Sequence, residues 1–267
     1  MDTKKFRIDQ HTRLDLSDLS PDRPDSADKA AAAAETAQLL TRLTALQEVL
    51  AAQAKHRVLV VLQATDTGGK DGTIRRVFSA MNPQGVRVAS FKAPSDLELA
   101  RDYLWRAHAE VPGNGEVVIF NRSHYEDVLI VRVNNLVPKN RWEQRYEHIR
   151  HFEQMLVDEG TTIIKLFLHI SKDEQKARLQ ARLTDPTKHW KFNPADLTER
   201  SHWDDYQRAF ADAIAETGRP QAPWFVIPSN SKWYRDRIIA QILVETLESL
   251  DLAYPSDPAS LAGIVIP

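Results

Sequence analysis

A chain of 267 residues is long enough for one well-buried α/β domain and short for two. Its 42% hydrophobic and 27% charged residues argue against disorder, and the lack of cysteine excludes a disulfide frame or a thiolate metal site. A net charge of −2 argues against a broadly basic nucleic-acid binder, so anion binding must come from local clusters.

No apolar run approaches a membrane span, and the N-terminus MDTKKFRID lacks a signal-peptide core, so a cytoplasmic protein without membrane contact is expected. Residues 1–29 are polar and without sustained period, and read as an arm beside a single domain over 30–267. A helix is predicted over 30–54, where Leu39, Leu40, Leu43, Leu46 and Leu50 recur at helical spacing. That stripe serves core or subunit packing. Five apolar runs then read as strands, at 58–62, 86–91, 117–120, 163–168 and 224–227. Helices alternate with them, opening at Ser95-x-x-Glu98, near Arg141, at Ser171-x-x-Glu174, at Ser201 and near Lys232. The alternation implies a three-layer α/β/α domain around a five-stranded, mostly parallel sheet.

The first strand runs into Ala64-Thr65-Asp66-Thr67-Gly68-Gly69-Lys70-Asp71-Gly72-Thr73. The glycine spacing does not fit the dinucleotide fingerprint. It fits a phosphate loop, in which backbone N–H groups and a helix N-terminus face phosphate oxygens and a lysine adds a point charge. Ala64 stands where that pattern has its first glycine, and Asp71 where it has Ser or Thr. The alternative is an ordinary turn with Lys70 merely solvated. A carboxylate inside an anion loop is costly without a cation beside it, which makes Asp66 a candidate metal ligand or acid–base group.

Asn121-Arg122-Ser123-His124-Tyr125-Glu126-Asp127 follows the third strand, where α/β nucleotide-binding sheets line their ligand crevice. Ser123-x-x-Glu126 also matches a capping box, so Glu126 is either a cap or a site residue, whereas Asp127 has no such alternative. Arg122 suits bidentate phosphate binding, or an ordinary salt bridge. Further on, Lys176, Arg178, Arg182, Lys188 and Lys191 face one acid, Asp185. Such a run is usually a solvated helix face, but its place between the last two strands is where nucleotide kinases carry a lid. Asp185-Pro186 breaks that helix, and Trp190 is expected to anchor the returning loop. His124 and His189 have no partner at ligand spacing and are assigned no metal.

The three ordered segments, from Thr65 to Thr73, from Asn121 to Asp127 and from Asp185 to Lys191, resemble the signatures of the family-2 polyphosphate kinases. The resemblance implies a thymidylate-kinase-like P-loop fold with a helical lid over about 171–202. It also implies dependence on magnesium, or manganese in its place, and reversible transfer between polyphosphate and AMP or ADP to give ADP or ATP. By the same resemblance Thr67, Gly68, Gly69, Lys70, Asp71, Gly72, Thr73, Asn121, Glu126 and Lys188 contact nucleotide or phosphate. Asp66 and Asp127 organise the metal, and Arg122, Arg178 and Arg182 grip phosphates. Many relatives carry Asp at Asn121, and the form present here is similar to the subgroup acting on both AMP and ADP. The expected assembly is a homo-oligomer. The rival readings are an ATP-dependent nucleoside monophosphate kinase and a non-catalytic polyanion- or nucleotide-binding protein.

Overall fold

In the computed structural model, residues 1–8, 13–256 and 263–266 are described. Among them one sheet is built from β1 (Arg7–Ile8), β2 (Arg57–Gln63), β3 (Val86–Ser90), β4 (Val117–Asn121), β5 (Thr161–His169) and β6 (Trp224–Pro228), in the order β1-β6-β5-β2-β4-β3. All neighbours are parallel except β1, which runs antiparallel to β6 through Arg7 opposite Phe225 and Ile8 opposite Trp224. The expected five parallel strands are therefore joined by a sixth from the N-terminal arm. Two residues carry no alternation to read, and their pairing depends on the exposed edge of β6.

The helices are α1 (Lys29–Gln53), α2 (Lys70–Val77), α3 (Asp96–Leu99), α4 (Trp105–His108), α5 (Ile130–Val133), α6 (Lys139–Asp158), α7 (Lys172–Thr184), α8 (Ala195–Ser201), α9 (Trp203–Thr217) and α10 (Lys232–Glu248). The helix predicted to open at Ser201 is α9, which begins two residues later at Trp203, and the short α8, not predicted, precedes it and ends at Ser201.

Strand periodicity creates the layers. Leu59 and Val61 of β2 enter one core with Ile149, Phe152 and Leu156 of α6 and Phe210 and Ile214 of α9. Val58, Val60 and Leu62 enter the other, with Leu43, Leu46 and Leu50 of α1 and Ile238, Ile239 and Leu243 of α10. Because both faces are covered, the central strands are continuous apolar runs. The leucine stripe of α1 is thus core, and Asp28 starts that helix by accepting from the amides of Ala30 and Ala31. The arm is tied down as well: Leu16 is buried, His169 Nε2 donates to the Leu19 carbonyl at 3.0 Å, and the Asn230 amide donates to Pro21. No helix among the described residues is long and apolar enough to cross a membrane.

This topology positions the site. The chain leaves β2 toward β3 on one side and later returns to β5 on the other, so the carboxyl end of β2 opens between β4 and β5. Such a switch point leaves a crevice at strand ends. The register sets Leu62 opposite Asn121, and the Arg122 amide donates to the Leu62 carbonyl at 3.2 Å, bringing the second signature against the loop.

Candidate active site

Gly69 is the N-cap of α2 at φ 108°, a left-handed backbone that favours glycine, and a Cβ there would lie 2.1 Å from Arg235 Nη1. At Gly68 a Cβ would meet Ala64 Cβ at 2.4 Å, so Ala64 occupies the space left by the bare Gly68. Thr67 and Arg122 also hold positive φ, both 61°, without being glycine. Such strain collects at ligand sites, where the surrounding fold enforces it. No side chain caps the first turn of α2, so its amides and the positive end of its dipole are directed at the cleft.

Lys70 Nζ donates to the Ala64 carbonyl at 3.1 Å. Burial, followed by repulsion from Arg122, pushes its ammonium down to about 8, against the pull of Asp66, Glu126 and Asp71. Arg122 Nη2 donates to Asp66 Oδ1 at 2.9 Å, and its Nη1 lies 3.6 Å from Glu126 Oε2. Asn121 Nδ2 donates to Asp71 Oδ1 at 3.0 Å. The capping alternative for Glu126 does not hold: Ser123 Oγ accepts from the Tyr125 amide, while Glu126 faces Arg122. Arg182, Lys188 and Lys191 line the other wall of the same cleft, which encloses about 610 Å³.

Four expected assignments are corrected. Asp127 does not join Asp66. Arg145 Nη1 donates to its Oδ1 and to its carbonyl, both at 2.9 Å, and Arg106 Nη2 lies 3.9 Å from Oδ2. Residues 124–128 form a 3₁₀ turn, in which neighbours diverge by about 120°. With Glu126 toward the loop, Asp127 is turned to α6, where burial raises its carboxyl against the opposing pull of Arg145 and Arg106. Arg178 likewise grips protein and not an open phosphate position. Its Nη1 donates to the Thr67 and Gly68 carbonyls, its Nη2 to Ser229 and Asn230, and its Nε to Glu174, which makes it a brace under the loop. Thr73 is fully buried, on the side of α2 that also buries Val77, and does not line the cleft. Trp190 is 78% exposed, its indole donating to the Thr187 carbonyl one turn back, so it anchors nothing across the loop.

Other cleft residues escaped the motifs: Arg75 and Arg76 on α2, Lys92 after β3, Asp196 on α8, and Lys232 and Arg235 on α10. A signal existed, since Lys92 and Lys232 both follow the carboxyl end of a parallel strand, where the crevice lies.

A divalent cation fits the donor set. Among the described residues no three His, Cys, Asp or Glu side chains converge on a point. Magnesium and manganese instead take one or two carboxylates and complete their shell with phosphate oxygens and water. Asp66 and Asp71 flank Lys70 at the loop, each with one oxygen already held by a neighbour and a second beside it.

A buried parallel strand feeding a glycine turn, an uncapped helix start and a half-buried lysine place the chain among P-loop phosphotransferases. The family model described as Polyphosphate kinase 2 (PPK2) matches residues 26–254. The AMP/ADP-polyphosphate phosphotransferase of Meiothermus ruber is 62% identical over 221 residues, 83% of each chain. The ADP-polyphosphate phosphotransferase of Rhodopseudomonas palustris is 47% identical over 222 residues, 79% of this chain and 77% of its own. The crystal structure of polyphosphate kinase 2 from Arthrobacter aurescens TC1 matches with a TM-score of 0.92 at 43% identity, over 97% of this chain and 94% of that one. The chain belongs to the polyphosphate kinase 2 family.

Proposed function

We propose that this chain is a polyphosphate-dependent nucleotide kinase that moves a phosphoryl group between inorganic polyphosphate and AMP or ADP, reversibly and with magnesium or manganese. The observation that carries it is charge: the cleft is lined by eleven Lys and Arg side chains, ten of them besides the brace Arg178, against Asp66, Asp71 and Asp196, in a protein whose net charge is −2. A single nucleotide does not require such an excess, whereas a long polyanion does. A cytoplasmic homo-oligomer without nucleic-acid partners belongs to the same reading, and light scattering checks the assembly.

An acceptor phosphate oxygen attacks the terminal phosphorus of the chain in line. The new P–O bond forms as the bridging P–O bond breaks, and the shortened chain leaves with the electron pair. Such transfer needs positioning and charge neutralisation more than covalent help. The amides opening α2, Lys70 and Arg182 meet the phosphate charge. Arg122, oriented by Asp66 and Glu126, sits where the acceptor phosphate approaches. Asp66 and Asp71 hold the cation, which supplies further charge neutralisation when bound. Asp127 positions the turn through Arg145. The segment from α7 to α8, bearing Arg182, Lys188 and Lys191, acts as the lid that excludes water.

Lys70 must be charged to bind phosphate, and in the free protein it loses its proton near pH 8. The expected result is that kcat/KM for the donor is level below about pH 8 and falls above it, since this ratio reports the free enzyme. A profile that stays flat well above that pH contradicts the assigned role.

The reading is tested by offering polyphosphate or ATP as sole donor to AMP and to ADP with magnesium. Transfer from polyphosphate to both acceptors is expected. Transfer to ADP alone removes the dual acceptor specificity, and transfer from ATP alone replaces the donor.

A further inference from the structure

Arg235 lies in the first turn of α10 and is fully buried beneath the loop. Its Nε and Nη2 donate to Asp236 Oδ1 at 2.8 and 2.6 Å, and Asp236 Oδ2 accepts from Arg76 Nε at 2.8 Å. Asp236 therefore fixes the plane of the guanidinium from one side. The third nitrogen, Nη1, has no hydrogen-bond partner. It is turned toward Gly69, in the space a Cβ would fill, and the residue lines the cleft.

A brace between α10 and α2 is complete with the two bonds to Asp236 and the link to Arg76. It gives no reason to leave a cationic donor bare, since an unmet buried donor costs about 1–3 kcal/mol, and more when charged. Arg178 shows the contrast. It approaches the same glycine, and all its nitrogens are used by protein acceptors. Lys232, one turn before Arg235, lines the same wall. Burial and repulsion from Arg178, Arg76 and Arg235 lower its ammonium, as expected where cations are gathered without their counter-ion.

We propose that Arg235 and Lys232 bind the phosphate of the donor chain next to the one held by the amides of α2, with Arg235 Nη1 donating to a non-bridging oxygen. Resting on the polyphosphate reading above, this runs the donor chain from the loop toward α10. The acceptor approaches from the opposite side, past Arg122. Gly69 is then required twice, for its backbone and for the guanidinium beside it.

The test compares the parent protein with Arg235→Gln and Lys232→Gln in three readouts: KM for polyphosphate, KM for the acceptor nucleotide, and the rise in Tm caused by inorganic tripolyphosphate. For Arg235→Gln, donor KM is expected to rise at least about tenfold, with acceptor KM within about twofold and the tripolyphosphate-induced rise in Tm largely lost. Lys232→Gln is expected to shift the same two donor readouts in the same direction. A lower Tm without ligand, combined with unchanged donor KM and an unchanged tripolyphosphate shift, makes Arg235 a brace only and overturns the proposal. If Arg235→Gln does not fold, Lys232→Gln decides: parental donor readouts overturn the proposal. Should the parent use ATP alone, the donor assignment falls separately. The same variants are then read on the KM for ATP, where a rise supports phosphate binding at Arg235 and no change overturns it.

Discussion

Lys70→Ala is expected to lower kcat by at least about 10²–10³-fold while leaving Tm unchanged or slightly higher. Activity falls because the lysine is the half-buried point charge beside the helix start, where negative charge develops in the transition state. Stability does not fall with it. Its one protein hydrogen bond is to the Ala64 carbonyl, and in the free protein its charge is disfavoured by burial and by Arg122. Removing a group that the empty fold holds at a cost relieves that cost, as is usual for functional residues. Steady-state kinetics and thermal unfolding of the same preparation check both halves. Near-parental turnover in a folded variant would sink the assignment of the loop.

The second large effect is on stability. Lys165 lies in the middle of β5, fully buried, with its ammonium bonded to Glu153 of α6, to the Tyr125 hydroxyl at 3.1 Å and to the Thr217 carbonyl at 2.9 Å. Tyr125 donates in turn to Glu153 at 2.7 Å. Burial alone would raise the Glu153 carboxyl, and Lys165 overrides it, holding the group ionised and below its ordinary range. Lys165→Met leaves that carboxylate buried without its cation and is expected to cost about 3–5 kcal/mol. In a chain of this length that is a fall in Tm on the order of 10 °C. Adding Glu153→Gln removes the uncompensated charge, so the double variant is expected to recover part of the loss. A single variant within about 1 kcal/mol of the parent shows that the pair contributes little. The network also reaches the site, because Tyr125 belongs to the turn that carries Glu126, the partner of Arg122. Loosening it is expected to lower kcat as well.

The differences between sequence and structure concern direction more than location. Glu126 and Asp127 are adjacent in a motif, and composition ranks Asp127 above Glu126 as a site carboxylate. The 3₁₀ turn reverses them, sending one to Arg122 and the other to Arg145. Arg178 and Arg182 are one turn apart on α7, so they share a face. The distance from that face to the loop makes Arg178 a brace and leaves Arg182 in the cleft, held by the Lys191 carbonyl and Asp196.

What the sequence determined by itself was everything carried by local pattern: buried parallel strands from β-branched runs, the phosphate loop from glycine and lysine after the first of them, and the basic segment before the last. Those signals lie within a few residues of one another, where backbone sterics and periodicity act. Only the tertiary structure decided which charges face the cleft. Arg235 stands 166 residues after Gly69, on a helix that otherwise packs Ile238, Ile239 and Leu243 into the core, and β1 exists only because β6 presents an edge. Such contacts join distant segments through the stacking of whole layers, and no local propensity encodes them.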